Sequence, residues 1–98
     1  MSILSSDTPI ETLAVRVTGK VQGVGYRLAT VRRAHMLGIG GWVRNVEDGS
    51  VEALIQGVPD QIDLMLQWLR VGPPAALVRE VSSEIRHDDR RYGRFEQH

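Results

Sequence analysis

The stretch Gly19-Lys20-Val21-Gln22-Gly23-Val24-Gly25-Tyr26-Arg27 holds the residue types and spacing in this chain best suited to chemistry. Three of its first seven residues are glycine. Glycine lets a backbone turn tightly and bring successive N–H groups to one point. A helix that starts here adds free N–H groups and the positive end of its dipole. Such a concavity suits a phosphate. Arg27, in the first helical turn, can close it with two parallel hydrogen bonds to phosphate oxygens, neutralising charge without a metal. The plain alternative is a tight strand-to-helix connection that only needs backbone freedom. Two familiar nucleotide loops do not fit. No Gly-Lys-Ser/Thr follows a glycine and four residues, and Gly23-x-Gly25 meets Leu28 where the dinucleotide fingerprint has its third glycine.

Other chemistry-bearing residues read more simply as structure. His35 borders a helical apolar stripe and has no second ligand at metal spacing. His87-Asp88-Asp89 are adjacent on a loop and cannot all point inward, so they read as a solvated turn. His98 reads as a free terminus. Ser50 and the pair Ser82-Ser83 have no nearby base in sequence, so no nucleophile is assigned. Trp42 and Trp68 read as core or rim aromatics, and Arg44 as a solvent-facing strand residue. Arg90-Arg91 and Arg94 form a small basic cluster of the kind that is usually a solvated face.

The glycine loop needs a strand before it and a helix after it. Leu13, Val15 and Val17 alternate with Ala14, Arg16 and Thr18, a period of two that gives a first strand one apolar face. From Val24 to Leu37, Val24, Leu28, Val31, Ala34 and Leu37 recur at steps of three and four, the spacing of an amphipathic helix ended by Gly38. Gly41–Asn45 and Val51–Ile55 flank a turn containing Asp48-Gly49, a hairpin signal. A second helix opens at Pro59 with Asp60 and Asp63 near its start, packs through Ile62, Met65, Leu66 and Leu69, and ends before Gly72-Pro73-Pro74. Ala76 to Ile85 reads as an edge strand with Leu77, Val81 and Ile85 on its apolar side. Tyr92 to Phe95 is a candidate short closing strand. The order strand, helix, strand, strand, helix, strand is the split βαβ sandwich of the ferredoxin-like α+β fold: four antiparallel strands, plus the short closing strand, with both helices on one face.

Ninety-eight residues, 42% hydrophobic and 24% charged, suit one ordinary globular domain rather than two or a disordered chain. We expect residues 1–11 to be a flexible segment and 12–98 the domain. Twelve basic residues balance twelve acidic ones, which leaves no broad positive field for nucleic acid or anionic lipid. The first strand also lacks the aromatic platform of RNA-recognition domains, offering Ala14, Arg16 and Thr18 instead. With no cysteine, disulfides, thiolate metal sites and cysteine nucleophiles are excluded. The N-terminus has neither a basic nor an apolar targeting region, and no apolar run could span a membrane. A cytoplasmic location is therefore expected. A monomer is expected too, since no long apolar surface stripe is evident.

Gly19-x-Val21-Gln22-Gly23-Val24-Gly25-Tyr26-Arg27, Ala34-x-x-Leu37-Gly38, Gly41-Trp42-Val43-x-Asn45, Asp48-Gly49-x-Val51-Glu52 and Gly72-Pro73 together resemble the acylphosphatase family, in order and with family-like spacing. The resemblance runs from about Val15 to Phe95. It implies a ferredoxin-like fold and hydrolysis of the carboxyl–phosphate bond of acyl phosphates, with no metal, no other cofactor and no phosphoenzyme. By position it makes Arg27 the phosphate-binding arginine and Asn45 the water-positioning asparagine. The backbone of Gln22, Gly23, Val24, Gly25, Tyr26 and Arg27 becomes a loop for the substrate's phosphate, or for a phosphate or sulfate anion. Tyr26 departs from the commoner Phe by adding a hydroxyl.

Few side chains would then suffice. The carboxylate leaving group, whose conjugate acid has a pKa of roughly 4, departs without a strong general acid. The site must hold the phosphoryl group, spread its charge and place a water in line. A neutral Asn amide can orient that water without repelling the phosphate. The competing reading is a non-catalytic module that binds phosphate or an acyl phosphate and signals through a partner.

Overall fold

In a computed structural model, which describes residues 9–87 and 89–98, the alternation seen in the sequence becomes the first strand, β1 (Glu11–Lys20). Leu13, Val15 and Val17 are buried on one face, while Arg16 on the other is exposed. A helix, α1 (Tyr26–Leu37), follows the glycine loop. The hairpin strands β2 (Gly40–Asn45) and β3 (Val51–Gly57) come next, then α2 (Pro59–Leu69), β4 (Leu77–Ile85) and β5 (Phe95–Gln97). The strands form one sheet in the order β4-β1-β3-β2-β5. β1, β2, β3 and β4 pair antiparallel, as the ferredoxin-like pattern requires, and β5 adds to β2 in parallel.

Register aligns the core. Val15 faces Ala53 and Ala53 faces Val43, so three strands turn small apolar side chains to the same side. Onto that side pack Tyr26 and Ala34 of α1 and Ile62, Met65 and Leu69 of α2, all buried in one cluster. The second helix follows its sequence pattern: Pro59 starts it, Asp60 lies in its first turn, and Leu66 is partly buried beside the inward stripe.

Three expectations change. The stripe Val24, Leu28, Val31, Ala34, Leu37 is only part of the buried face: Ala34 is fully buried and Val24, Val31 and Leu37 pack partly buried against the core, but Val24 lies in the loop before α1, Leu28 is 50% exposed, and Tyr26 and Thr30 are the other fully buried residues of α1. Thr30 can occupy the core because its hydroxyl donates to the Tyr26 carbonyl at 2.7 Å, one turn back. In β4 the inward residues are Val78 and Val81, while Leu77 and Ile85 are 70% and 63% exposed. A bulge turns Leu77 outward: Thr18 pairs with Glu80 and Gly19 with Val78, so Arg79 is an extra residue that shifts the alternation by one, whereas Ile85 keeps its register opposite Leu13 and is exposed at the far end of the strand. The closing strand is Phe95–Gln97 rather than Tyr92–Phe95, and its place is the edge opposite β4.

The chain reaches that edge by a crossing anchored on Gln56, which is 4% exposed. Its amide nitrogen donates to the Arg90 carbonyl at 2.8 Å and its oxygen accepts from Tyr92 N–H at 2.9 Å. Residues 1–8 of the expected flexible segment, and Asp88, lie outside the described residues. Among the described residues no helix is long and apolar enough to cross a membrane.

Candidate active site

β1, β2 and β5 run in the same direction, so their C-terminal ends share one end of the sheet. There the chain leaves β1 through residues 21–25, β2 ends at Asn45, and β5 delivers His98. Val21, 1% exposed, fixes the loop to the core. Beyond it Gly23 and Gly25 have φ of 74° and 79°, the left-handed region that glycine enters without strain. A Cβ at either would meet open space, so the requirement is for backbone conformation, not for room.

Gly25 is the N-cap of α1 and offers no side-chain oxygen to the first turn. That turn also lacks an acidic residue, unlike α2 with Asp60. Among the described residues no side chain caps the first N–H groups of α1, and no acid in its first turn opposes its dipole; Arg27 adds a cation in the same turn. Arg27 is half-buried, and its guanidinium donates from Nη1 to the His98 main-chain oxygen at 2.8 Å in an exposed bond. Of its five N–H donors this bond uses one.

Asn45 is the last residue of β2 and pairs with Val51. Strand alternation puts its side chain on the side of Val43, the helix side, while Arg44 points to the opposite face. Asn45 is exposed. The turn that follows is closed by Gly49 N–H donating to the Val46 carbonyl at 3.0 Å and by Asp48 Oδ1 accepting from Ser50 N–H and hydroxyl at 2.9 and 2.6 Å. These Ser50 bonds, with Arg16 pairing on the other carboxylate oxygen, hold the Asp48 carboxyl down to about 2. Gln22 reaches this turn from the glycine loop, donating from Nε2 to the carbonyls of Val46 at 2.7 Å and Ser50 at 2.9 Å.

Tyr26, behind the loop, is 1% exposed. Its hydroxyl donates to the Leu69 carbonyl at 2.6 Å near the end of α2, and burial pushes its pKa well above the ordinary phenol value. Its ring lies 5.8 Å from that of Trp68, and an added Cβ on Gly72 would come within 2.7 Å of it. The hydroxyl that sets Tyr26 apart from Phe therefore ties the start of α1 to α2.

Of the residues singled out in the sequence, the fold brings Arg27, Asn45 and the loop 22–27 to one end of the sheet. Arg44 goes elsewhere: it bonds Glu52 at 2.7 Å and lies over Trp42 on the uncovered face. That face holds a shallow depression in which Arg44 pairs with Glu52, Arg16 with Asp48 beside it, and Arg86 approaches Glu84 at 3.9 Å. His98 is not a free end. Its N–H donates to the Val43 carbonyl at 2.8 Å and its ring stacks on Trp42 at 5.6 Å, besides its bond to Arg27. No pattern in the sequence could show this, because the backbone itself makes two of these contacts. The side-chain role of Gln22 was also missed; its signal was a polar side chain between a buried valine and a glycine. Among the described residues no group of three metal-ligating side chains exists.

Fold and site define a small ferredoxin-like α+β domain whose first helix opens, uncapped, beside the ends of three parallel-running strands. The acylphosphatase family model matches residues 13–97. An acylphosphatase of Paraburkholderia xenovorans is 65% identical over 92 residues, covering 94% of this chain and 95% of that protein. An acylphosphatase structure from Coxiella burnetii superposes with a TM-score of 0.90 at 33% identity, covering 98% and 100% of the two chains. One from Bacillus subtilis gives 0.86 at 29%, covering 89% and 97%. The chain belongs to the acylphosphatase family.

Proposed function

We propose that the protein hydrolyses acyl phosphates to carboxylate and inorganic phosphate without a metal, Arg27 and the 22–27 backbone holding the phosphoryl group and Asn45 positioning the water. The observation that carries this reading is the uncapped, acid-free start of α1 with Arg27 in its first turn, at the sheet end where β2 presents Asn45.

The phosphoryl oxygens accept from loop N–H groups and from the guanidinium, whose bond to His98 fixes its position in advance. The Asn45 amide orients a water opposite the leaving oxygen. The water oxygen bonds to phosphorus as the phosphorus–acyl oxygen bond breaks. The electron pair leaves on the carboxylate, and the water's proton passes to the product phosphate or to solvent. Donors that are in place before the reaction need not reorganise as charge moves, which lowers the barrier.

Benzoyl phosphate turnover by wild type, Arg27→Ala and Asn45→Ala, each with and without a chelator, tests the reading. Chelator-insensitive wild-type hydrolysis is expected. Arg27→Ala should lower kcat/KM on the order of a hundredfold or more, and Asn45→Ala should lower kcat with KM much less changed. Phosphate binding without turnover in the wild type would instead establish a non-catalytic anion-binding module.

A further inference from the structure

We infer that the Gln22 side chain is a positioning residue that sets Asn45, and hence the attacking water, relative to the bound phosphoryl group. The inference rests on the proposed role of Asn45. Both acceptors of Gln22 are carbonyl oxygens, so its amide must turn its nitrogen toward them, and both N–H groups are used. One acceptor, Val46, directly follows Asn45 in the chain.

The turn does not need these bonds for its own shape. Val46 N–H already donates to the Ser50 carbonyl at 2.9 Å, Gly49 N–H to the Val46 carbonyl, and Asp48 gathers the Ser50 donors. What Gln22 adds is a tie between two separate segments, the loop proposed to hold phosphate and the hairpin that presents the water ligand. The tie spans 24 and 28 residues of sequence. Without it each segment keeps its local geometry, but the distance between them is free to drift. A misplacement of about 1 Å between reacting groups can lower a rate on the order of a hundredfold.

The test is a double-mutant cycle of Gln22→Met, similar in length and without donors, with Asn45→Ala, read through kcat, KM and inhibition by inorganic phosphate. Gln22→Met should lower kcat roughly tenfold to a hundredfold, while phosphate inhibits as in wild type. In the Asn45→Ala background the same change should alter kcat by less than about twofold, since the group it positions is gone. An equal fall in both backgrounds would show that Gln22 does not act through Asn45, and weakened phosphate inhibition with kcat preserved would make it a cradle residue; either overturns the inference. An unchanged kcat in Asn45→Ala alone would instead overturn the proposed role of Asn45. If Gln22→Met fails to fold, Gln22→Asn, which keeps the amide but falls short of both carbonyls, carries the same cycle.

Discussion

Arg27 and His98, 71 residues apart, meet at 2.8 Å between a guanidinium N–H and a main-chain oxygen. The first turn of α1 is thereby fastened to the far end of β5. Phe95, at the start of that strand, is 3% exposed and pairs with Gly41. Phe95→Ala should cost about 3–5 kcal/mol of stability and release the His98 oxygen from Arg27. Urea denaturation reads the first effect. Steady-state kinetics should show KM for benzoyl phosphate rising as the cation loses its fixed place.

Gly25→Ala tests the backbone conformation of the loop. A methyl there meets open space, so its cost is the left-handed conformation alone, about 1–2 kcal/mol. Relaxing that strain would turn the first N–H groups of α1 away from a common point. The variant should therefore bind inorganic phosphate more weakly than wild type by calorimetry, while its far-ultraviolet circular dichroism stays native.

Tyr26→Phe removes the donor to the Leu69 carbonyl without changing the ring. Leu69 is fully buried, so the carbonyl is left without that partner. A loss of about 1–2 kcal/mol is expected from the denaturation midpoint. An unchanged midpoint would mean that the hydroxyl does not fasten α1 to α2.

Asp48 provides a pH-dependent contribution. Its folded-state value of about 2 lies below the ordinary 3.8, so folding favours the ionised form. That contribution is complete above the ordinary value and is lost as pH falls toward 2. Wild type minus Asp48→Asn should therefore show a stability difference that is constant near neutrality and shrinks between about pH 4 and 2. Denaturant midpoints across that range read it directly, and a difference that grew on acidification would contradict the assignment.

The sequence was legible where pattern is local. The alternation of β1, the Asp48-Gly49 turn and the stripe of α2 depend on neighbours a few residues away, and each appears where expected. The buried face of α1 was legible in part: Ala34, Val31 and Leu37 follow the expected stripe, but Tyr26 and Thr30 look polar until their hydroxyls are seen bonded to Leu69 and Tyr26 carbonyls. The alternation in β4 broke because a bulge opposite Thr18 and Gly19 belongs to a pair of strands, not to one. In the candidate site, the glycine loop and Arg27 stood out by residue type, and Asn45 by resemblance. Their ties to Val46, Ser50 and His98 could not, since backbone carbonyls look alike in every sequence.

Among the described residues, no strand pairs with the outer side of β4 at the margin of the sheet. A second molecule could add a strand there, and such rows of free N–H and C=O groups invite it. Arg79, Glu80 and Glu84, all exposed, and the bulge itself stand in the way. Because the whole chain carries a formal net charge of zero at pH 7, no overall repulsion keeps copies apart. Colloidal behaviour near neutrality then depends on these few charges along one margin. Salt that screens them over about 10 Å or less removes the barrier to association without touching the fold.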